Sequence, residues 1–102
     1  MNSVVYSSAY VDGSYEYRHI ALPNSIMSKF SPSHLLSEAE LESLGVFQDR
    51  GWEHYSILRP EPNILLFRRP MGTDPITGAV DPARQRMAEA AFRQQLINQN
   101  RS

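Results

Sequence analysis

The stretch Arg59-Pro60-Glu61-Pro62-Asn63-Ile64-Leu65-Leu66-Phe67-Arg68-Arg69-Pro70 sets the frame for the rest of the chain. Proline locks its own φ and pushes the preceding residue toward extended backbone, so Pro60 and Pro62 stiffen a bend that also carries Arg59 and Glu61. Ile64, Leu65, Leu66 and Phe67 leave no polar position, which predicts a strand covered on both faces. Arg68 and Arg69 close the block, and guanidinium forks suit planar, bidentate contact with an anion.

Outward from this block, Trp52 to Leu58 reads as the strand before the bend, and Asn63 to Arg69 as the strand after it. Further upstream, Ser37 and Glu40 have the S-x-x-E spacing of a capping box, with Leu36 and Leu41 at the two staple positions around it. Gly45 fits the position just past a helix end. A helix over 38–44 follows, with Leu41 and Leu44 inward. Pro23-Asn24 starts a shorter helix over 25–30, which Ser31-Pro32 ends. Tyr15 to Leu22 is an imperfectly alternating, aromatic-rich strand after the Asp12-Gly13-Ser14 turn. Val4 to Val11 is a short strand or extended lead-in. The order strand, strand, helix, helix, strand, strand predicts an α+β fold: a four-stranded antiparallel sheet with two short helices on one side.

Past Pro70 the composition changes. Gly72, Thr73, Asp74, Pro75, Gly78 and Asp81 mark a loose linker over 71–81, separating a domain at 1–70 from an extension at 82–102. Asp81-Pro82 is an N-cap with proline at the first helical position. Residues 83–97 should form a C-terminal extension helix with a modest stripe of Met87, Ala88, Ala91, Phe92 and Leu96. An isolated helix of this length is marginal in water, which predicts docking.

Bulk properties narrow the function. The 102 residues carry 10 basic and 11 acidic side chains, a formal net charge of −1. This balance argues against a nucleic-acid or membrane surface selected by charge. Without cysteine there is no disulfide or thiolate chemistry, which fits an intracellular protein. Met1 to Tyr6 shows no secretory signal, and no apolar run approaches membrane-spanning length. With no such signal, the sequon Asn100-Arg101-Ser102 is read as accidental. His19, His34 and His54 lack metal-ligand spacing. No G-x-S-x-G elbow surrounds a serine, the glycines form no phosphate-cradling loop, and aromatic residues are not interleaved with basic ones. An enzyme is not indicated, and no cofactor or metal is implied.

Four pieces in the same order resemble the cyclin-dependent kinase subunit (Cks) family: Tyr15 to Pro23 (YEYRHIALP), His34 to Val46 (HLLSEAELESLGV), Gly51 to Leu58 (GWEHYSIL) and Pro60 to Pro70 (PEPNILLFRRP). The resemblance spans about residues 5–70. It implies a non-catalytic cell-cycle adaptor that binds a cyclin-dependent kinase through Tyr10, Tyr55, Ser56, Leu58 and Glu61. It also implies a phosphate pocket for phosphothreonine segments, onto which Arg18, Trp52 and Arg69 carry over. A phosphothreonine has about −1.5 to −2 charges and three acceptor oxygens, which guanidinium forks and an indole N–H can meet. Pro60 and Pro62 become a hinge that, straightened, donates the last strand to a twin molecule in a homodimer.

Several positions depart from the family pattern. Ala9 stands where lysine is usual and Asp49 where serine is usual. Losing one charge-assisted hydrogen bond costs about 1.5–3 kcal/mol. A carboxylate about 5 Å from a phosphate repels it by about 3 kcal/mol per charge pair at an effective dielectric of 20. Arg50, beside Asp49, is placed to turn in and compensate. Ser56, Leu58 and Asn63 also differ from the usual methionine, histidine and histidine. Two alternatives therefore stand beside the adaptor: a kinase-binding domain with weakened or lost phosphate recognition, and a strand-exchanged structural oligomer.

Overall fold

A computed structural model describes residues 3–29 and 33–99. The expected helix stop at Phe30-Ser31-Pro32 and the sequon at 100–102 lie outside the described residues, and the first helix itself closes earlier, at Met27. The chain runs β1 (Val5–Tyr6), β2 (Tyr10–Val11), β3 (Tyr15–Ala21), α1 (Asn24–Met27), α2 (Glu38–Ser43), β4 (Glu53–Ile57), β5 (Ile64–Pro70) and α3 (Pro82–Gln99). All strand pairings are antiparallel, in the order β1-β3-β5-β4, with β2 also along the outer edge of β3. The α+β architecture is the expected one. The first strand, however, is split in two. Between its halves the Ser7 hydroxyl accepts the His19 amide at 2.9 Å, replacing a backbone acceptor of the ladder. Short serine bonds of this kind compete with strand pairing.

The register sorts the side chains. Ile20 pairs with Leu65 and Arg18 with Phe67, which places them on one face. On that face Ile20, Leu65 and Phe67 form the core with Leu36, Leu41 and Val46, and Ile26 and Met27 of α1 pack against it. The opposite face holds Tyr15, Tyr17, His19, Leu66 and Arg68, none of them buried. The expectation that β5 is covered on both faces is therefore corrected. Leu65 and Phe67 are fully buried, whereas Ile64 and Leu66 are only half-buried, because the helices lie on one side.

The cap of α2 forms as predicted. Ser37 Oγ accepts the Glu40 amide at 3.2 Å, and Glu40 Oε1 accepts the Ser37 amide at 3.0 Å. Leu36 and Leu41 are both buried beside it. Gly45 then takes φ +86°, a left-handed value that a side chain would oppose. Ser37→Ala should lower stability by about 1 kcal/mol, seen as a lower urea midpoint at unchanged slope.

His54 is buried under α2, its Nδ1 accepting the Leu36 amide at 2.9 Å and its ring against Phe67. Burial lowers its pKa, against an opposing Ser56 backbone contact and with a small further push from His34. An imidazole with a depressed folded pKa contributes stability above its unfolded value of about 6.5 and loses it as pH falls toward the folded value. The urea midpoint should therefore drop between pH 7.5 and 5.5, and His54→Gln, which retains an acceptor for Leu36, should flatten that drop.

The linker is not loose. Met71 and Thr73 are buried, Thr73 bridges Val80, and the Asp74 amide donates to Ala79 at 2.8 Å. The Arg50 amide donates to the Pro75 carbonyl at 2.9 Å, so this turn packs onto the loop before β4. Asp81 caps α3 through the Ala83 amide at 2.9 Å. The helix docks where Gln85 meets Gly72 and Phe92 meets Gly13. Its predicted stripe does not form a buried face: Met87 and Leu96 are exposed, and α3 has no buried residue.

Candidate functional site

Two-residue periodicity brings Arg18 and Arg69 to the same sheet face, because Glu16 pairs with Arg69 and Arg18 with Phe67. Trp52, just before β4, lies between them and the core. The Arg69 guanidinium carbon is 4.3 Å from the Trp52 ring centroid and that of Arg18 is 4.8 Å from it; Arg18 also lies 5.5 Å from the Tyr6 ring. Cations over an indole at these distances are attracted by its quadrupole. Two guanidiniums and one indole thus share one surface, a site termed the guanidinium hollow.

Several of its donors are already engaged. Trp52 Nε1 donates to Asp49 Oδ1 at 2.8 Å. Arg69 donates from Nε to Glu16 Oε2 at 2.7 Å, and from one terminal nitrogen to Asp49 Oδ2 and the Arg50 carbonyl, both at 3.0 Å. Arg18 donates to Gln48 Oε1 from Nε at 3.1 Å and again from a terminal nitrogen. Partial burial pushes the Asp49 carboxyl up, but the Trp52 and Arg69 hydrogen bonds, with the charges of Arg69 and Arg18, outweigh it and hold the carboxyl below the usual range. Burial lowers the Arg18 pKa, with Asp49 opposing that shift and Arg69 reinforcing it. A cleft of about 300 Å³, lined in part by Gln48, Asp49, Arg50 and Trp52, opens beside the cluster. A second, of about 480 Å³, lies where Glu16, Arg69 and Met71 face Arg84, Met87 and Phe92 of α3.

Arg50 enters differently from the other predicted anion-site residues. It meets Arg69 through its carbonyl, and its exposed side chain makes no hydrogen bond among the described residues. Ala9 is exposed between β1 and β2.

The opposite face carries an aromatic cluster. Tyr10 stacks on Tyr17 with centroids 5.4 Å apart, and Tyr55 meets Tyr17 edge-on at 5.9 Å. The Arg68 guanidinium lies 4.7 Å from the Tyr15 ring and 5.1 Å from that of Tyr55. The Asp12 carboxylate accepts the Tyr17 hydroxyl at 2.7 Å, pushing the Tyr17 pKa to about 12 and its own down to about 2. A register shift between His54 and Ser56 leaves Tyr55 as an extra residue in β4. Such bulges re-aim side chains, and here Tyr55 and Ser56 both reach the aromatic face. Leu58 and Glu61 sit at the exposed hairpin end, where the Glu61 amide donates to the Leu58 carbonyl and the Ile64 amide to the Glu61 carbonyl, both at 3.0 Å. Pro60 and Pro62 thus lie in a closed hairpin within one chain.

Sequence reasoning missed Glu16, Gln48, Tyr15 and Tyr17, and it read Arg68 with Arg69 as one anion-gripping pair, whereas strand alternation puts Arg68 on the opposite face over Tyr15 and Tyr55. Tyrosines two apart in a predicted strand were the available signal for Tyr15 and Tyr17. Nothing local marks Gln48 as a partner for Arg18.

Residues 4–71 match the family described as cyclin-dependent kinase regulatory subunit. Among curated proteins, the chain is 52% identical over 67 residues to a cyclin-dependent kinases regulatory subunit of Drosophila melanogaster, covering 66% of this chain and 90% of that protein. It is 48% identical over 71 residues to cyclin-dependent kinases regulatory subunit 2 of Arabidopsis thaliana, covering 70% and 86%. A Dictyostelium discoideum protein described like the Drosophila one is 55% identical over 65 residues, covering 64% and 79%. Residues 72–99 of the described chain lie beyond the matched segment.

Proposed function

This chain belongs to the cyclin-dependent kinase regulatory subunit family, and from that premise we propose that it is a non-catalytic cell-cycle adaptor acting in the nucleus, the cytoplasm or both. Its aromatic face and hairpin end, with Tyr10, Tyr55, Ser56, Leu58 and Glu61, dock a cyclin-dependent kinase. Its other face offers Arg18, Trp52 and Arg69 to a phosphorylated segment of the kinase's substrate. The observation that supports this division most is the placement of the guanidinium pair over one indole on the face opposite the tyrosine cluster. Holding an already phosphorylated tail raises the effective concentration of its remaining sites at the kinase.

Two measurements test the two halves. Immobilised full-length chain should capture a cyclin-dependent kinase from a cell extract, and failure to capture any removes the adaptor reading. Titration with a phosphothreonine peptide should quench or enhance the single tryptophan saturably. No saturable change below about 1 mM, a level at which binding is worth only about 4 kcal/mol, removes the phosphate half. Strand exchange of β5 would replace the pairing of β4 with β5 inside one chain by the same pairing between two, and light scattering on the full chain distinguishes the forms.

A further inference from the structure

We propose that Asp49 is the resident occupant of the guanidinium hollow, and so the residue that sets which anions this chain accepts. The inference rests on the phosphate reading above and sharpens it: a phosphorylated segment enters only in exchange for the Asp49 carboxylate.

The geometry supports exchange rather than simple filling. One Asp49 oxygen takes the Trp52 indole N–H and the other takes an Arg69 terminal N–H, at 2.8 and 3.0 Å. These are donors of the kind an incoming phosphate would need. Glu16 holds the Arg69 Nε, and Gln48 holds two donors of Arg18. The formal charges of Arg18, Arg69, Asp49 and Glu16 cancel, so a dianion approaching from solvent meets little net attraction. The carboxyl is held below the normal acid range, so it stays ionised at neutral pH.

The Asp49 loop is also fixed from behind. The Arg50 amide is tied to the Pro75 carbonyl. Gly51 has φ +97°, and a Cβ there would stand 2.5 Å from the Thr73 side chain. Thr73 and Pro75 lie past the segment matched to the family, so the linker braces the loop that presents the carboxylate. The exit route remains open, because the Asp49 side chain is 41% exposed while that of Arg69 is 10% exposed.

The test compares full-length wild type, Asp49→Ser and Asp49→Asn, each checked for folding by circular dichroism. The probe is a phosphothreonine peptide with its unphosphorylated twin. Asp49→Ser should bind the phosphopeptide about tenfold or more tightly than wild type, with a steeper salt dependence, and neither protein should hold the unphosphorylated twin. Independently of any ligand, the single indole N–H resonance should move when Asp49 becomes serine. Equal phosphopeptide affinities in wild type and Asp49→Ser overturn the inference and leave the phosphate reading standing. No binding by any of the three overturns the phosphate reading and this inference with it. An unmoved indole resonance overturns the occupancy whatever the peptide does.

Discussion

Arg69→Met is expected to destabilise the folded chain and silence the hollow together. Methionine preserves most of the apolar stem against Trp52 but removes every donor. The Glu16 and Asp49 carboxylates then lose their shared cation, and the Arg50 carbonyl loses a donor. Breaking one side of a fully buried ion pair costs about 3–5 kcal/mol. Here the Glu16 and Asp49 side chains are 25% and 41% exposed and regain water, so about 2–3 kcal/mol is the expected loss. A urea series would measure it, and a change below about 0.5 kcal/mol, the level of ordinary surface substitutions, would show that the cluster adds little to stability.

The same variant has a pH signature. The folded Asp49 carboxyl lies below its usual value, so its contribution is complete above the unfolded pKa of about 3.9 and is lost as pH falls toward the lower folded value. Without Arg69 much of that depression disappears. The acid-side loss of stability below about pH 4 should therefore be shallower in Arg69→Met than in wild type. Saturable phosphothreonine-peptide binding should also vanish.

Tyr55→Ala is expected to carry the second large effect, on the proposed kinase docking. The bulge in β4 presents this ring beside Tyr17, with the Arg68 guanidinium over it. A half-buried aromatic packed against Tyr17 in a cluster with Tyr10 has the composition of an interface hot spot, where truncation to alanine costs about 2 kcal/mol or more. That corresponds to about a thirtyfold weaker complex with the captured kinase, measurable by surface plasmon resonance on the full chain. Tyr55→Phe should stay near wild type, since it retains the ring against Tyr17. Burial raises the Tyr55 pKa, so the hydroxyl is neutral at working pH and no charge is lost in that control. Tyr55→Ala binding within twofold of wild type would move the kinase contact elsewhere on the molecule.

Local chemistry was legible where a few adjacent residues decide the outcome. The α2 cap needs Ser37 and Glu40 three positions apart, and Leu36 and Leu41 around them, and all four behave as their spacing implies. β5 announced itself through a run of four apolar residues behind two prolines, although only one of its faces is covered. The alternation that puts Arg18 and Arg69 on one side was implicit in two predicted strands, but required their register.

The content of the hollow was not legible. Asp49 in the sequence is a carboxylate near the predicted site, with repulsion as its natural reading. In the folded chain it is a ligand to the indole and to Arg69. That depends on bonds reaching 20 positions along the chain to Asp49 and 53 to Glu16. The segment 71–81 has the glycine, proline and aspartate content of a loose connection. It is ordered because Met71 and Thr73 are buried and Pro75 accepts from Arg50, contacts that composition does not encode.

The amino-acid order alone determined the α+β element sequence, because periodicity, caps and proline geometry act within a turn or two, and its motifs carried the family resemblance that implied Arg18 and Arg69. Only the tertiary structure decided that Arg69 is already paired with two carboxylates, that a bulge turns Tyr55 onto the aromatic face, and that the linker at Pro75 grips the loop before β4. Those outcomes follow from which distant donors and acceptors meet once the sheet is in register, and partly buried charges must find partners among whatever the fold brings near them.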